Sequence, residues 1–281
     1  MSAEGRKNWK GKNKVALLYD FDGTLAPGNM QEFTFAPNLL KMQTSEWWDT
    51  VNSFGQKHNM DPTLSVMYMM VTVAKEKGLS IKRNDFVSLG KDIHFFEGVE
   101  DWFERIDDYA NALGLEVEHY MISSGLKEII EGTTIAKHFK RIFASCYAYN
   151  AEGNAFWPSQ AVNYTTKQQF IHRIRKHKID DLSETKSVVE ICDDKDKLVP
   201  YENMIYFGDG ETDIPAMKTI SKKGGQAFCV YDPNKNSAYE KAKKIYLSKR
   251  VDCMASADWT ENSELDILVK QRLLKIASYL Q

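Results

Sequence analysis

Cysteine is scarce in this 281-residue chain, and none of it is paired in sequence. Cys146, Cys192, Cys229 and Cys253 form no CxxC motif. All but Cys192 lie in apolar, strand-like runs, so buried free thiols in a reducing compartment are expected. Long hydrophobic runs are missing too: no stretch of about 18 apolar residues occurs, so no membrane-spanning helix is expected. The N-terminal residues hold no apolar signal core, and a cytoplasmic location is the expectation. Charge of one sign is also lacking. The net charge is -2, so no global basic field argues for nucleic acid as a partner. Residues 1–13 do carry Arg6, Lys7, Lys10 and Lys12, and they read as a solvated basic tail. What remains is 43% hydrophobic and 27% charged, the composition of a soluble globular protein. The length suits one large domain or a core with a smaller insert.

Against that background one stretch stands out, Val15-Ala16-Leu17-Leu18-Tyr19-Asp20-Phe21-Asp22-Gly23-Thr24. It is a short apolar run of the kind that forms a buried strand. It ends in two carboxylates one residue apart. Like charges that close raise each other's pKa unless a cation or a proton sits between them. Asp-Gly is also ordinary turn chemistry, so the rest of the chain must decide between a solvated turn and a divalent-metal site.

Periodicity then lays out the chain. After turn-rich residues 25–29, a helix is expected from about Pro37 to Gly55, carrying Leu39, Leu40, Trp47, Val51 and Phe54. Asp61-Pro62 is a helix start, and Thr63 to Lys77 is a helix apolar on most sides that stops at Gly78. A further helix covers Asn84 to Leu89. An amphipathic helix begins at Val99 and closes at Gly114. Strands are expected at 117–122, 141–148, 203–207, 226–231 and 251–255. The second of these forms a hairpin with the residues around Ala155-Phe156-Trp157. Helices follow Ser123-Ser124-Gly125, Thr166 and Asp213, and others cover Asn236 to Ile245 and Ser263 to Tyr279. The charge-rich segment 176–198 has no clear pattern. Strands alternating with helices imply an α/β fold with a doubly wound, mostly parallel, Rossmann-like sheet. Residues 14–28 and 97–281 are expected to form this core. Residues 29–96 are expected to form a helical cap domain inserted after the first strand.

In such sheets ligands bind beyond the carboxyl ends of the strands, where the polar clusters fall. Together they suit phosphoryl transfer from a small phosphorylated substrate. Asp20 would be the nucleophile, splitting the reaction through an aspartyl phosphate. Asp22 would serve as general acid and base, with its backbone carbonyl near the metal. Asp209 would be a metal ligand. Asp213 would either support the metal or pair with a lysine. Mg²⁺, held by Asp20, Asp22, Asp209 and Asp213, would keep two anions from repelling each other. Ser123, with the Ser124 and Gly125 amides, would cradle the phosphate at a helix start. Lys167 would clamp it, with Lys127 and Lys178 as other candidates.

These pieces resemble the haloacid dehalogenase superfamily of hydrolases. Asp20-Phe21-Asp22-Gly23-Thr24 matches its first motif, and Ile122-Ser123-Ser124-Gly125 its second. Lys167 matches its third-motif lysine, and Gly208-Asp209-Gly210-Glu211-Thr212-Asp213 its acidic fourth. The resemblance covers about Val15 to Tyr231. It implies a Mg²⁺-dependent phosphatase or phosphotransferase, because dehalogenase members usually lack the second Asp of the first motif. It is closest to phosphoserine-phosphatase-like members with a helical cap. Phosphoserine-specific members carry a Glu shortly after the first motif, where this chain has Asn29, with Glu32 three residues later. Substrate choice is expected to lie with the cap, at Asn29, Met30 and Phe33, with Gln31, Trp47, Trp48 and His94 as further candidates. A phosphomutase or phosphotransferase, or a non-catalytic binding protein, would use the same fold. Oligomeric state is left open.

Overall fold

The first strand, β1 (Lys14–Tyr19), shows how the core is divided. Val15, Ala16, Leu17, Leu18 and Tyr19 are each wholly buried. Side chains alternate along a strand, so Val15, Leu17 and Tyr19 enter one hydrophobic cluster and Ala16 and Leu18 the other. A strand buried on both faces belongs to the centre of a parallel sheet. In the computed structural model, which describes residues 11–180 and 198–280, β1 pairs in parallel with a strand on each side. Truncating a side chain such as Leu17 to Ala costs about 2–5 kcal/mol in such a core.

The remaining strands are β2 (Glu116–Leu126), β3 (Phe139–Tyr149), β4 (Ala155–Gln160), β5 (Met204–Gly208), β6 (Gln226–Tyr231) and β7 (Cys253–Ser256). They form one sheet in the order β4-β3-β2-β1-β5-β6-β7. All pairings are parallel except the β3–β4 hairpin. The chain winds outward from β1 through β2 and β3, then returns to place β5 on the other flank of β1. The gap between β1 and β5 is therefore the topological switch point, where such sheets bind ligands. The expected mostly parallel, doubly wound α/β architecture is the one observed.

The helices are α1 (Thr44–His58), α2 (Pro62–Glu76), α3 (Arg83–Leu89), α4 (Val99–Ala112), α5 (Lys127–Glu131), α6 (Lys167–Lys176), α7 (Ile214–Lys222), α8 (Asn236–Leu247) and α9 (Glu264–Ser278). One face of the sheet carries α6, α7 and α8, through Phe170, Ile174, Met217, Ile220 and Ile245. The other carries α4 and α9, through Trp102, Phe103, Val269 and Leu273. The helices of residues 29–96 join this second cluster through Phe35, Trp47, Met67, Met70 and Phe86. The insertion is also tied to the β3–β4 hairpin. Ala155 N donates to Ile81 O at 2.8 Å, Tyr147 Oη donates to Met67 O at 2.5 Å, and Phe86 stacks on Tyr147. Among the described residues no helix is long and apolar enough to cross a membrane.

Three local expectations are corrected. The helix expected from Pro37 to Gly55 is two elements, a π-helical segment (Gln31–Leu40) and α1, with Lys41 between them at a left-handed φ of 54°. Pro37 sits inside the first piece, where it cannot donate an α-helical bond and crowds the preceding turn. The apolar spacing from Leu40 to Trp47 runs across this break unchanged, so periodicity could not see it. Second, Thr166 does not cap α6 through its side chain. Asn163 does that work: its Oδ1 accepts from Thr165 N and Thr166 N, both at 3.1 Å. Third, of the three thiols among the described residues, all free, only Cys229 is buried. Cys146 lies on β3 where it meets the edge strand β4, and Cys253 lies on the edge strand β7, and sheet edges leave side chains partly open. Cys192, most of the basic tail and most of segment 176–198 fall outside the described residues.

Candidate active site

Asp20 follows β1 directly, and its backbone N–H continues the ladder to β5, donating to Phe207 O at 2.9 Å. The chain then turns tightly, with Phe21 O accepting from Leu25 N at 2.9 Å. Gly23 has φ 75°, and a Cβ there would lie 2.7 Å from Asp209 Cγ. Only glycine lets the loop after β1 come this close to the loop after β5. Asp22 is held from the insertion: its Oδ1 accepts from Met30 N at 2.9 Å.

From β5, Gly208 plays the matching part. A Cβ on it would lie 2.5 Å from Asp213 Cγ, so the glycine leaves room for Asp213 to fold back beneath the strand end. Asp213 Oδ1 accepts from Lys167 Nζ at 2.7 Å and from Tyr206 Oη at 2.7 Å. Lys167 Nζ also lies 3.0 Å from Asp20 Oδ2. Lys167 and Asp213 are both fully buried, and Asp20 is 5% exposed. A wholly buried lysine thus bridges two buried carboxylates. On the open side, Lys241 Nζ of α8 lies 3.4 Å from Asp209 Oδ2.

The electrostatics follow from this crowding. Burial, reinforced by Asp213, pushes the Asp20 carboxyl well above the usual carboxylate range despite Lys167. Burial also raises Asp22, to about 7, with the Met30 N–H working against the shift and Asp209 adding to it. Burial raises Asp209 as well, against the pull of Lys241. For Lys167 burial opposes the charge, but Asp20 and Asp213 more than offset it and the pKa rises. The lysine is therefore charged, and the carboxylates around it remain in excess.

That excess is what a hard divalent cation would balance. Carboxylate oxygens of Asp20, Asp209 and Asp213 lie within 4.8 Å of one another. Asp213 Oδ2 is buried without a hydrogen-bond partner. An all-oxygen donor set with an unsatisfied buried oxygen fits Mg²⁺ better than a softer metal. The Asp22 carboxylate does not belong to this cluster.

Two cavities meet here. One, of about 380 Å³, is lined by Asp20, Asp22, Ser123, Asp209, Lys235 and Lys241, among others. The other, of about 210 Å³, runs beneath the insertion and is lined largely by Trp48, Pro62, Val66, Met67, Met70 and Leu126. Asp22, Asn29 and Ser124 line both, so they mark the junction of a charged branch and an apolar branch.

Of the residues singled out in the sequence, the structure brings together Asp20, Asp22, Ser123, Ser124, Lys167, Asp209, Asp213 and Asn29, and Gln31 and Trp48 line the second cavity. Gly125 is placed differently from expectation. Residues 123–126 still belong to β2, and α5 after them is only five residues long. The Gly125 N–H is spent on Ser123 Oγ at 2.9 Å, so it anchors that serine and is not a free donor, although Gly125 itself lines the second cavity. Met30 is buried against the same loop, its Sδ 3.1 Å from Leu126 N, and lines neither branch. Phe33 is 46% exposed and also lines neither. Trp47 is fully buried in the core, and His94 lines a separate groove. Lys127 pairs with Glu131 at 3.5 Å, and Lys178 is exposed. Sequence reasoning missed Lys241, Lys235, Tyr206 and Asn163. Tyr206 carried a faint signal, a polar tip inside a buried strand. The lysines carried none, Lys241 being an ordinary residue of a charged helix and Lys235 the residue just before it.

Comparison with known proteins agrees with this layout. No protein-family model matches the chain. An uncharacterized protein of Borreliella burgdorferi (strain ATCC 35210 / DSM 4680 / CIP 102532 / B31) is 26% identical, over 90% of this chain and 94% of its own length. Among solved structures, a phosphoserine phosphatase in apo form is 15% identical, with a TM-score of 0.56, covering 92% of this chain and 98% of that one. A HAD family hydrolase from Salmonella enterica subsp. enterica serovar Typhi is 12% identical, with a TM-score of 0.56, over 92% of this chain and 70% of that one. A probable phosphoserine phosphatase from Vibrio cholerae is 11% identical, with a TM-score of 0.57, over 98% and 69%. With its parallel sheet, its inserted helices and its acids at the switch point, the chain has the fold of HAD-family hydrolases, in the form seen in phosphoserine phosphatases.

Proposed function

We propose that this chain is a HAD-type phosphatase, a Mg²⁺-dependent hydrolase of a small phosphate monoester that works through an aspartyl phosphate on Asp20. The observation that carries this reading is the buried Lys167 held between Asp20 and Asp213 at 3.0 and 2.7 Å, beside an acid at about 7. Lys167 favours the ionised form of Asp20 against its burial, and offers positive charge to the phosphoryl oxygens. Asp20 attacks phosphorus and becomes the mixed anhydride. Asp22, half protonated near neutrality, gives its proton to the departing alkoxide and then takes one from the water that cleaves the intermediate. Ser123 Oγ accepts from Gly125 N, which leaves its hydroxyl hydrogen to be donated to the phosphate. Asp20, Asp209 and Asp213 would hold Mg²⁺, with the Asp22 backbone carbonyl beside them. The cation, when bound, would screen the repulsion between carboxylate and phosphate.

The test is a broad panel of phosphate monoesters with Mg²⁺, followed by trapping of the phosphorylated protein and mapping of the label. Turnover with the label on Asp20 supports the reading. Turnover with no label on Asp20, or undiminished turnover by a folded Asp20→Asn variant, would overturn it. Added acceptor alcohols that divert the phosphoryl group from water would make the protein a phosphotransferase.

A further inference from the structure

We propose that the apolar branch is the leaving-group subsite and that it selects phosphate esters of largely apolar alcohols that carry no negative charge, a substrate class that rests on the phosphatase reading above. The branch opens at Asp22, the group that would protonate the departing oxygen. Its volume is about 210 Å³, and an apolar cavity of about 150 Å³ accepts benzene. It therefore has room for an aryl ring or a short alkyl chain. Trp48, Val66, Met67 and Met70 form much of the apolar part of its wall, with neutral polar residues such as Gln31 and Thr63 beside them, and methionine packs adaptably around varied apolar shapes.

The charges of the wall point the same way. Among the described residues that line the branch there is no Lys, Arg or His, and Asp22 is the one ionisable group. Glu32 adds a second negative charge at its edge, its Oε1 accepting from Asn29 Nδ2 at 2.8 Å and from Trp48 Nε1 at 2.9 Å. Some nearby donors are already used, while Ser124 Oγ, buried without a hydrogen-bond partner, adds one neutral polar group to the wall. The Gly125 N–H goes to Ser123 Oγ and the Leu126 N–H to Met30 Sδ, while Ser145 Oγ donates to Ser124 O. A carboxylate on the leaving group, as in phosphoserine, would be buried beside two acids with no cation to pair it, an arrangement that proteins avoid. An alkyl chain gains instead, by roughly fourfold for each buried methylene.

The experiment measures kcat/KM with Mg²⁺ for straight-chain alkyl phosphates from ethyl to hexyl, against phosphoserine. The expected result is a rise of at least tenfold from ethyl to hexyl, with hexyl phosphate at least a hundredfold ahead of phosphoserine. Val66→Arg is expected to lower hexyl phosphate turnover at least tenfold and to raise that of phosphoserine. A flat chain-length series, or phosphoserine matching hexyl phosphate, overturns the proposal. Calorimetric binding of ethylphosphonate and hexylphosphonate to the unmodified protein tests the subsite without catalysis. Equal affinities overturn it. Tighter hexylphosphonate binding with no turnover of any ester would remove the phosphatase reading and leave the apolar subsite standing.

Discussion

On the sheet side of the site, Lys167 lies within hydrogen-bonding range of Asp20 and Asp213, and Asp209 joins these acids within 4.8 Å. On the insertion side, Trp48, Val66, Met67 and Met70 meet over a cavity with no cation in its wall among the described residues. The two regions share Asp22, Asn29 and Ser124 but rest on different physics. The sheet side stores electrostatic stress: buried like charges held close by two glycines and one lysine. The insertion side is stabilised by apolar burial and imposes shape and polarity. The difference separates chemistry from selection. Changes on the sheet side should strike every ester alike, and changes on the insertion side should discriminate among them.

The sharpest way to break that division is Asp20→Asn. Loss of the nucleophile is expected to lower turnover of every ester by roughly 10⁴-fold or more, with the circular dichroism spectrum retained. A loss confined to some esters would show that the sheet side also selects. Next in size is Lys167→Met, which leaves Asp20 and Asp213 buried without their partner. Breaking a buried pair in this way costs about 3–5 kcal/mol. Thermal unfolding should show the deficit shrinking at pH 5, where the carboxyls can take up protons.

The third test needs no mutation. Asp20, Asp22 and Asp209 all have raised pKa values, so without metal the folded state holds more protons than the unfolded chain. The window runs from the unfolded carboxylate value, about 4, up to Asp22 at about 7. Stability of the metal-free protein should therefore fall as pH rises through it. Mg²⁺ at a hundredfold excess over its Kd should add about 2.7 kcal/mol at pH 7.5 and much less at pH 5, read as a shift in Tm. A Mg²⁺ effect independent of pH would place the ion away from these acids. The smallest effect belongs to the insertion side. Glu32→Gln weakens the charge-assisted bonds to Asn29 and Trp48 by about 1 kcal/mol. KM for hexyl phosphate should rise roughly fivefold while kcat stays nearly constant.

Much of the sheet side was legible in advance because its signals are local. A strand ending in Asp20-Phe21-Asp22-Gly23 and another ending in Gly208-Asp209 announce polar groups at strand ends, and alternation with helices places those ends on one edge. The insertion side was less legible. Met30 and Phe33 adjoin the first motif and looked like substrate contacts, yet one is buried against the Leu126 backbone and the other faces outward. Trp47 and Trp48 are neighbours with the same chemistry, and only the rotation of α1 puts Trp48 on the cavity and Trp47 in the core. The break at Lys41, which sets that rotation, is invisible to a spacing rule that spans it.

By itself the sequence determined the α/β architecture, the order of its elements and the acids at the ends of β1 and β5. These follow from period, turn chemistry and strand polarity, all properties of short stretches of chain. Only the tertiary structure decided that Lys167 would sit between Asp20 and Asp213, that Lys241 would face Asp209, and that the cavity beneath the insertion would be apolar. Each of those depends on contacts between residues far apart in the chain, and packing alone selects such contacts.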